Sequence, residues 1–311
     1  MHHTGTPPTA ARQALSSPGI STLYQHAIVV SVKSLVPPDA PRTSATAYDA
    51  FAFAYNAYWG PVGLNWLRWL SVLAIPRLAS RARVLDLCCG TGQLAAELSR
   101  RGFRMVGLDG SRAMLRHARA NADGVPLVQA DVRHFGMRER FDAVLCLFDS
   151  LNHLLAVEEL NATFRSVFRC LRPGGWFLFD VNTAYGYALH WNGRREMAVE
   201  DHVVRTWSDY DVDRRLGVFR ATIRRLGAAG WTEEEVTLWQ RCHGDEEIRS
   251  ALTDAGFSTI EAYGVEQDSL VAGSIERSER AFYLCRRSSG ITRRQTVPRR
   301  GAALADSGQA A

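Results

Sequence analysis

The chain has 311 residues, 46% of them hydrophobic and 22% charged, enough apolar material for one large or two modest packed domains. Its formal net charge of +5 comes from the ends: residues 1–44 and 286–311 are both basic, and the stretch between is slightly acidic, which weakens the usual inference from a basic chain to a nucleic-acid partner. No run approaches the roughly 20 apolar residues of a membrane span, and HAIVVSVKSLV near the start lacks the flanks of a signal peptide, so no membrane association and a cytoplasmic location are expected.

In chain order, residues 1–44 are rich in Pro, Ser, Thr and Ala without a sustained period and read as a disordered extension. Residues 45–80 read as one or two helices carrying Tyr48, Phe51, Phe53, Tyr55, Tyr58, Trp59, Trp66 and Trp69, mostly a core stripe. Apolar runs at 83–87, 104–109, 126–131, 141–148 and 174–181 are strand candidates, with amphipathic helices expected over 92–101, 111–121 and 158–171. That alternation predicts an α/β fold with a doubly wound, mostly parallel sheet. RPGG at 172–175 reads as a helix stop and turn before the fifth strand.

After residue 182 the pattern changes to β-branched and aromatic runs, predicting an antiparallel β insert over 196–242, with Trp207, Trp231 and Trp239 as its core. A helix over 245–257 ending at Gly256 and a closing strand over 281–286 follow. The tail 286–311 reads as disordered and basic. The six cysteines show no CxxC or framework spacing, so reduced thiols are expected and no metal site is read.

The sequence RVLDLCCGTGQL, residues 83–94, runs a strand into a turn with Gly90 and Gly92. Glycines there let backbone approach a ligand, and Ala95 completes a G-x-G-x-x-A spacing that alone suits a dinucleotide equally well. Two features separate the readings. Asp86 ends the strand where pyrophosphate would be repelled, whereas S-adenosylmethionine has no phosphate and is cationic at sulfur and amine. Asp131 ends the third strand, where it can accept from an adenine amino group, and Asp109 ends the second, where it can accept both ribose hydroxyls.

Residues 83–181 resemble the core of class I S-adenosylmethionine-dependent methyltransferases: DLCCGTG resembles their first motif, GLDGSRAMLRHAR the second, QADVRHF the third and LRPGGWFLFD the fifth strand. YDAFAFAYNAYW and LFDSLNHL extend the resemblance to aminosugar N-methyltransferases and related small-molecule enzymes over about 45–285, which also carry an antiparallel insert after strand 5. The resemblance implies a seven-stranded Rossmann-like sheet and S-adenosyl-L-methionine as cofactor. It places Cys88, at the position of the usual first glycine, with Gly90 and Gly92 at the methionine end. Asp109 is placed at the ribose, Met114 at the adenine face, Asp131 with Val132 at the adenine edge, and Leu147 beneath the cofactor.

Methyl transfer from a sulfonium is an in-line displacement needing alignment, water exclusion and a base only where the acceptor must lose a proton. His153 is the leading base by the resemblance, and Tyr48 or Tyr55 can close over the methionine end with a cation–π face. Tyr185 and Tyr187 are candidate acceptor contacts, with His190 and Trp191 weaker ones. LFDSLN departs from the [DN]-P-P-[FY] pattern of nucleobase and glutamine amide methylation, and no His/Asp cluster suggests a metal-dependent O-methyltransferase.

The expectation is a methyltransferase acting on a small-molecule acceptor, most readily at an amine nitrogen. An RNA methyltransferase using the basic tail, a non-catalytic S-adenosylmethionine-binding protein and, last, an NAD-dependent oxidoreductase are the alternatives. Monomer and homodimer are both left open.

Overall fold

In the computed structural model, which describes residues 45–137 and 140–288, the aromatic-rich start folds as α1 (Ala45–Ala54), a π-helical turn over Tyr55–Trp59, a short 3-10 stretch and α2 (Leu67–Leu73). The expected extension 1–44 and residues 289–311 of the tail lie outside the described residues. β1 (Arg83–Leu87) follows, buried from Val84 onward, as a central parallel strand covered on both faces must be. α3 (Gln93–Arg100), β2 (Arg104–Asp109), α4 (Arg112–Asn121), β3 (Leu127–Gln129), β4 (Phe141–Cys146), α5 (Val157–Cys170) and β5 (Leu171–Asn182) complete the alternating half. These five strands pair in parallel in the order β3-β2-β1-β4-β5.

The chain then forms α6 (Ala184–His190) and four antiparallel strands, β6 (Arg194–Ala198), β7 (His202–Asp211), β8 (Leu216–Gly227) and β9 (Gly230–Arg241), which make a second sheet in sequence order. It returns through α7 (Asp245–Ala255), capped by Gly256 in a left-handed conformation at φ 103°, to β10 (Phe257–Glu266), β11 (Ser269–Ala272) and β12 (Arg280–Arg287). β12 inserts between β5 and β10, antiparallel to both.

Several expectations need correction. The main sheet has eight strands, not seven, because β11 doubles back on β10 as an extra antiparallel edge. Arg172–Gly175 is not a free turn: β5 begins at Leu171 opposite Phe141, and the register shifts before Ala143 meets Trp176, so the loop is an irregularity within the strand. The tail begins later than Arg286, since Arg286 and Arg287 belong to β12 and Arg287 donates to the carbonyls of Phe168 and Leu171. Of the three tryptophans expected to form the core of the second sheet only Trp239 is buried; Trp231 is exposed, and Trp231 and Trp207 lie beneath the guanidinium groups of Arg224 and Arg220.

Two apolar layers cover the main sheet. α5 and α7 bury Phe164, Val167, Leu252 and Ile248 against Phe177, Phe179 and Tyr283 on one face. On the other, the 3-10 stretch Val62–Trp66, α2 and α3 bury Trp66, Trp69, Leu70 and Leu98 against Val84, Leu145 and Phe282. α1 belongs to neither layer. Phe51 and Ala54 pack against Val204, Ala221, Ile223, Val236 and Leu238 of the second sheet, while Ala52 packs against Ala113 and Met114 of α4. α1 therefore sits between the second sheet and α4 at the carboxyl end of the main sheet, where open α/β sheets bind ligands and where the strand order reverses between β1 and β4. No described helix is long and apolar enough to cross a membrane.

Candidate active site

The turn after β1 is built from unusual backbone. Cys88, Gly90 and Gly92 all have positive φ, at 60°, 54° and 84°. Gly92 has no room for a side chain, because a Cβ there would lie 3.0 Å from the Cα of Ala118 on α4. At Gly90 a Cβ would meet the ring of Tyr55 at 3.2 Å, so Tyr55 covers the turn from above. Asp109 locks the arrangement: one carboxylate oxygen accepts the Gly90 N–H at 2.9 Å and the other the Ser111 N–H at 2.8 Å. Each oxygen keeps a second lone pair for a hydroxyl donor.

Asp86 lies beneath this turn, 3% exposed, and its Oδ2 has no hydrogen-bond partner. Burial first, then the neighbouring Asp109 carboxylate, lift its pKa from an ordinary 3.8 to about 7. Burial likewise raises Asp109, against the pull of the Ser111, Gly90 and Gly110 backbone donors. An orphaned buried carboxylate oxygen beside a second acid is a site waiting for a cation. The residues thus fit S-adenosylmethionine: Asp86 faces a cationic amino acid end with an acid that would repel a pyrophosphate, and Asp109 has lone pairs left for ribose hydroxyls.

α1 closes the site and is latched to α4. Asp49 accepts from the Ser111 hydroxyl at 2.6 Å and from the Ala113 N–H at 2.8 Å, while Ser111 caps α4 by accepting the Met114 N–H. A carboxylate at a helix N-terminus is also favoured by the helix dipole. Tyr48 and Tyr55 meet edge to face at 6.0 Å. Burial pushes both phenols well above their usual pKa, so they remain neutral donors.

His153 lies on the short 3-10 turn Ser150–His153 after β4. Its Nδ1 sits 2.9 Å from the Trp239 carbonyl, which can only accept, so Nδ1 carries the proton. Its Nε2 faces the Tyr48 hydroxyl at 2.9 Å and the Gln240 amide nitrogen at 3.0 Å. Burial lowers its pKa, partly opposed by the Asp149 carboxylate, so the ring is neutral at neutral pH.

Behind His153 runs a polar chain that the sequence did not disclose. Gln240 donates to Asp149 at 2.6 Å and accepts from the Tyr187 hydroxyl at 2.7 Å. Asp149 pairs with Arg280 at 2.9 Å, and Arg280 also pairs with the fully buried Asp180. Asp180 in turn accepts the N–H groups of Phe148 and Asp149. Those two residues are both left-handed, at φ 65° and 50°, and their successive N–H groups form a small anion-binding concavity filled by Asp180. Arg280 further lies over the ring of Trp66 at 4.7 Å.

The sequence-derived candidates fall into two sets. Tyr48, Tyr55, Asp86, Cys88, Gly90, Gly92, Asp109, Met114 and His153 converge around the carboxyl ends of β1, β2 and β4. Leu147 is buried just past β4, in the same apolar layer as Trp66. Val132 packs at the rim of the opposite layer, and Asp131 lies two residues beyond β3, its carboxylate held at 2.5 Å by Arg133. Tyr185 is not brought in. Thr183 caps α6 by accepting the Gly186 N–H, which turns Tyr187 inward and leaves Tyr185 48% exposed. His190 pairs with Glu279 and Trp191 packs edge-on against Tyr187, both away from His153.

Comparison with known proteins agrees with this geometry. Residues 84–175 match the family model described as a methyltransferase domain. YqeM of Bacillus subtilis, a protein named provisionally as a methyltransferase, is 29% identical over 254 residues, 78% of this chain and 98% of the relative. The dTDP-4-amino-2,3,4,6-tetradeoxy-D-glucose N,N-dimethyltransferase of Saccharopolyspora spinosa is 28% identical over 221 residues, 68% of this chain and 84% of the relative. Among solved structures, the sugar N-methyltransferase KedS8 from Streptoalloteichus shares the fold with a TM-score of 0.62 at 22% identity, covering 85% of this chain and all of that one. The chain is a class I S-adenosylmethionine-dependent methyltransferase and resembles the aminosugar N-methyltransferases.

Proposed function

We propose that this S-adenosylmethionine-dependent methyltransferase methylates an amine nitrogen of a small molecule, with His153 as the proton acceptor and a nucleotide-linked amino sugar as the acceptor class. The observation that carries this reading is the neutral, buried His153, whose Nε2 lone pair faces the Tyr48 hydroxyl. The acceptor class comes from the relatives that act on dTDP-amino sugars.

When bound, S-adenosylmethionine supplies a methyl group on a cationic sulfur that leaves as a neutral thioether. The protein's own residues do the rest. An amine acceptor enters as an ammonium and must lose a proton before its lone pair can form the new C–N bond. Tyr48 donates to His153 Nε2 and can accept from the amine in the same motion, so the ammonium's positive charge passes to the His153 ring and no phenolate forms. The aromatic faces of Tyr48 and Tyr55 favour the cationic partners and exclude water. Asp149, tied to Arg280 and Gln240, lies close enough to steady His153 once it is protonated.

The test is mass spectrometry of dTDP-amino sugars and simple amines incubated with the protein and S-adenosylmethionine. A product heavier by one or two methyl groups is expected. His153→Asn should lower turnover by ~10²–10⁴-fold while calorimetric binding of S-adenosylhomocysteine is retained. Methylation of a hydroxyl or carboxylate with no amine product, or full turnover by the His153 variant, would sink the reading.

A further inference from the structure

We infer that Gln240, on the last strand of the second sheet, is a positioning residue that keeps His153 Nε2 unprotonated and aimed at the Tyr48 hydroxyl through which the amine's proton arrives. The inference rests on the reading of His153 as proton acceptor, and it makes the antiparallel sheet a working part of proton removal.

The case begins with the orientation of the Gln240 amide, which its neighbours fix. Its oxygen takes hydrogen bonds from the Tyr187 hydroxyl at 2.7 Å and the Asn182 amide nitrogen at 3.2 Å. Its nitrogen faces the Asp149 carboxylate at 2.6 Å. Turning the amide over would set two nitrogens against each other at Asn182 and an oxygen against a carboxylate at Asp149. One hydrogen of the –NH2 group is thus committed to Asp149, and the other points at His153 Nε2, 3.0 Å away. A donor fixed in that direction is satisfied only by a lone pair.

The other nitrogen agrees with this. Nδ1 meets the Trp239 carbonyl, which requires an N–H there. Consecutive residues of β9 therefore hold both sides of one imidazole, the backbone of Trp239 on Nδ1 and the side chain of Gln240 on Nε2. Gln240 is 3% exposed, so no water replaces a lost contact cheaply. The residues facing the ring are Tyr48 from α1, Asp149 from the loop after β4, and Trp239 and Gln240 from β9. Asp149 is backed by Arg280 of β12 and, through it, Asp180 of β5.

The consequence concerns what happens when His153 takes a proton. An Nε2–H would oppose the Gln240 donor, so Gln240 favours the neutral ring and promotes release of the proton after each turnover. Asp149 works the other way, and Gln240 tempers it by occupying one of its oxygens. Substitution should therefore move His153 in a known direction. Gln240→Glu removes the fixed donor and sets an acid against Asp149, so the two carboxyls share a proton, and the negative charge brought beside the ring should raise the titration of His153 by ~1 pH unit or more. Gln240→Leu removes the donor without adding charge and should raise it less.

The experiment is long-range proton–nitrogen NMR on the full chain labelled with ¹⁵N-histidine, with His153 assigned by its absence in His153→Asn. It is paired with pH profiles of kcat and KM for the wild type and both Gln240 variants. The wild type is expected to show the Nδ1–H tautomer at pH 7. Both variants should shift the His153 titration upward, the glutamate further, and move the acidic limb of kcat with it while KM for S-adenosylmethionine holds. Unchanged binding of S-adenosylhomocysteine will certify that each variant is folded. Identical tautomer and titration in all three proteins would overturn the proposal. A moved titration with an unmoved kcat profile would instead overturn the proton-acceptor reading of His153 and, with it, the catalytic part of this one.

Discussion

Replacing Asp86 by Asn should make the ligand-free protein more stable and the cofactor site weaker, with both effects following pH. The acid is buried, one oxygen is unpartnered, and its pKa stands at about 7 against an ordinary 3.8. A raised carboxyl pKa means the folded state keeps its proton after the unfolded chain has released it. Stability is therefore lost as pH climbs from about 4 to 7 and levels off above the folded value. At 1.36 kcal/mol per pH unit the full loss is roughly 4 kcal/mol, an upper figure because a buried site relaxes. Asn imitates the protonated acid in shape and charge, so the two proteins should match near pH 4. By pH 8 the variant should lead by ~2–4 kcal/mol, several degrees in Tm for a domain of this size. Urea unfolding without ligand at pH 5, 6, 7 and 8 reads this directly. Calorimetry at pH 8 should show S-adenosylmethionine bound ~10–100-fold more weakly by the variant, the cost of one charged hydrogen bond. A stability gap that does not widen with pH, or a wild type that is the more stable protein at pH 8, would refute the reasoning.

Arg280→Met should destabilise the fold by ~3–5 kcal/mol, because Asp180 and Asp149 are left without their cation inside the protein; urea midpoints will measure it, and lowering the pH should recover part of the loss as Asp180, whose pKa burial raises, takes up a proton. Gly92→Ala should lower Tm by several degrees and abolish cofactor binding in calorimetry, since a Cβ there meets the α4 backbone and the φ of 84° costs about 1–2 kcal/mol for any L-residue. Asp49→Asn should leave the fold intact but weaken S-adenosylmethionine binding severalfold by loosening α1 from the start of α4, a change that isothermal titration will register.

The alternating half of the fold was legible because its signals are local. β1, β2, β4 and the helices between them are short apolar runs and amphipathic periods, each readable within a dozen residues. The glycine turn and the strand-end acids Asp86 and Asp109 are fixed by their distance from those strands, so they could be placed in advance. β10 and β11 were missed because FSTIEAYGVE and SLVA near the sheet edge need no continuous apolar run. α6 was missed because seven residues are too few to show a helical period, and without its Thr183 cap the inward tyrosine could not be told from the outward one. The chain from Gln240 through Asp149 and Arg280 to Asp180 was beyond reach for a different reason. Its members lie far apart in sequence, and an isolated Gln in a strand or Arg near a strand start carries no signal until the two sheets have been brought together.

The placement of α1 bears on the timing of turnover. The second sheet is fastened to the first by buried donors, with Gln240 on Asp149 and Asn152 on the Arg241 carbonyl, and cannot swing aside without stranding them. α1 belongs to no strand ladder, and it reaches its neighbours through Asp49, Tyr48 and aromatic faces. Were cofactor and spent thioether to pass this helix, its links through Asp49 and Tyr48 would break and reform once per cycle. The frequency of that opening would then set a ceiling on the rate however fast the methyl group moves, and thickening the solvent with a viscogen would slow such an enzyme while leaving its bond-making step untouched.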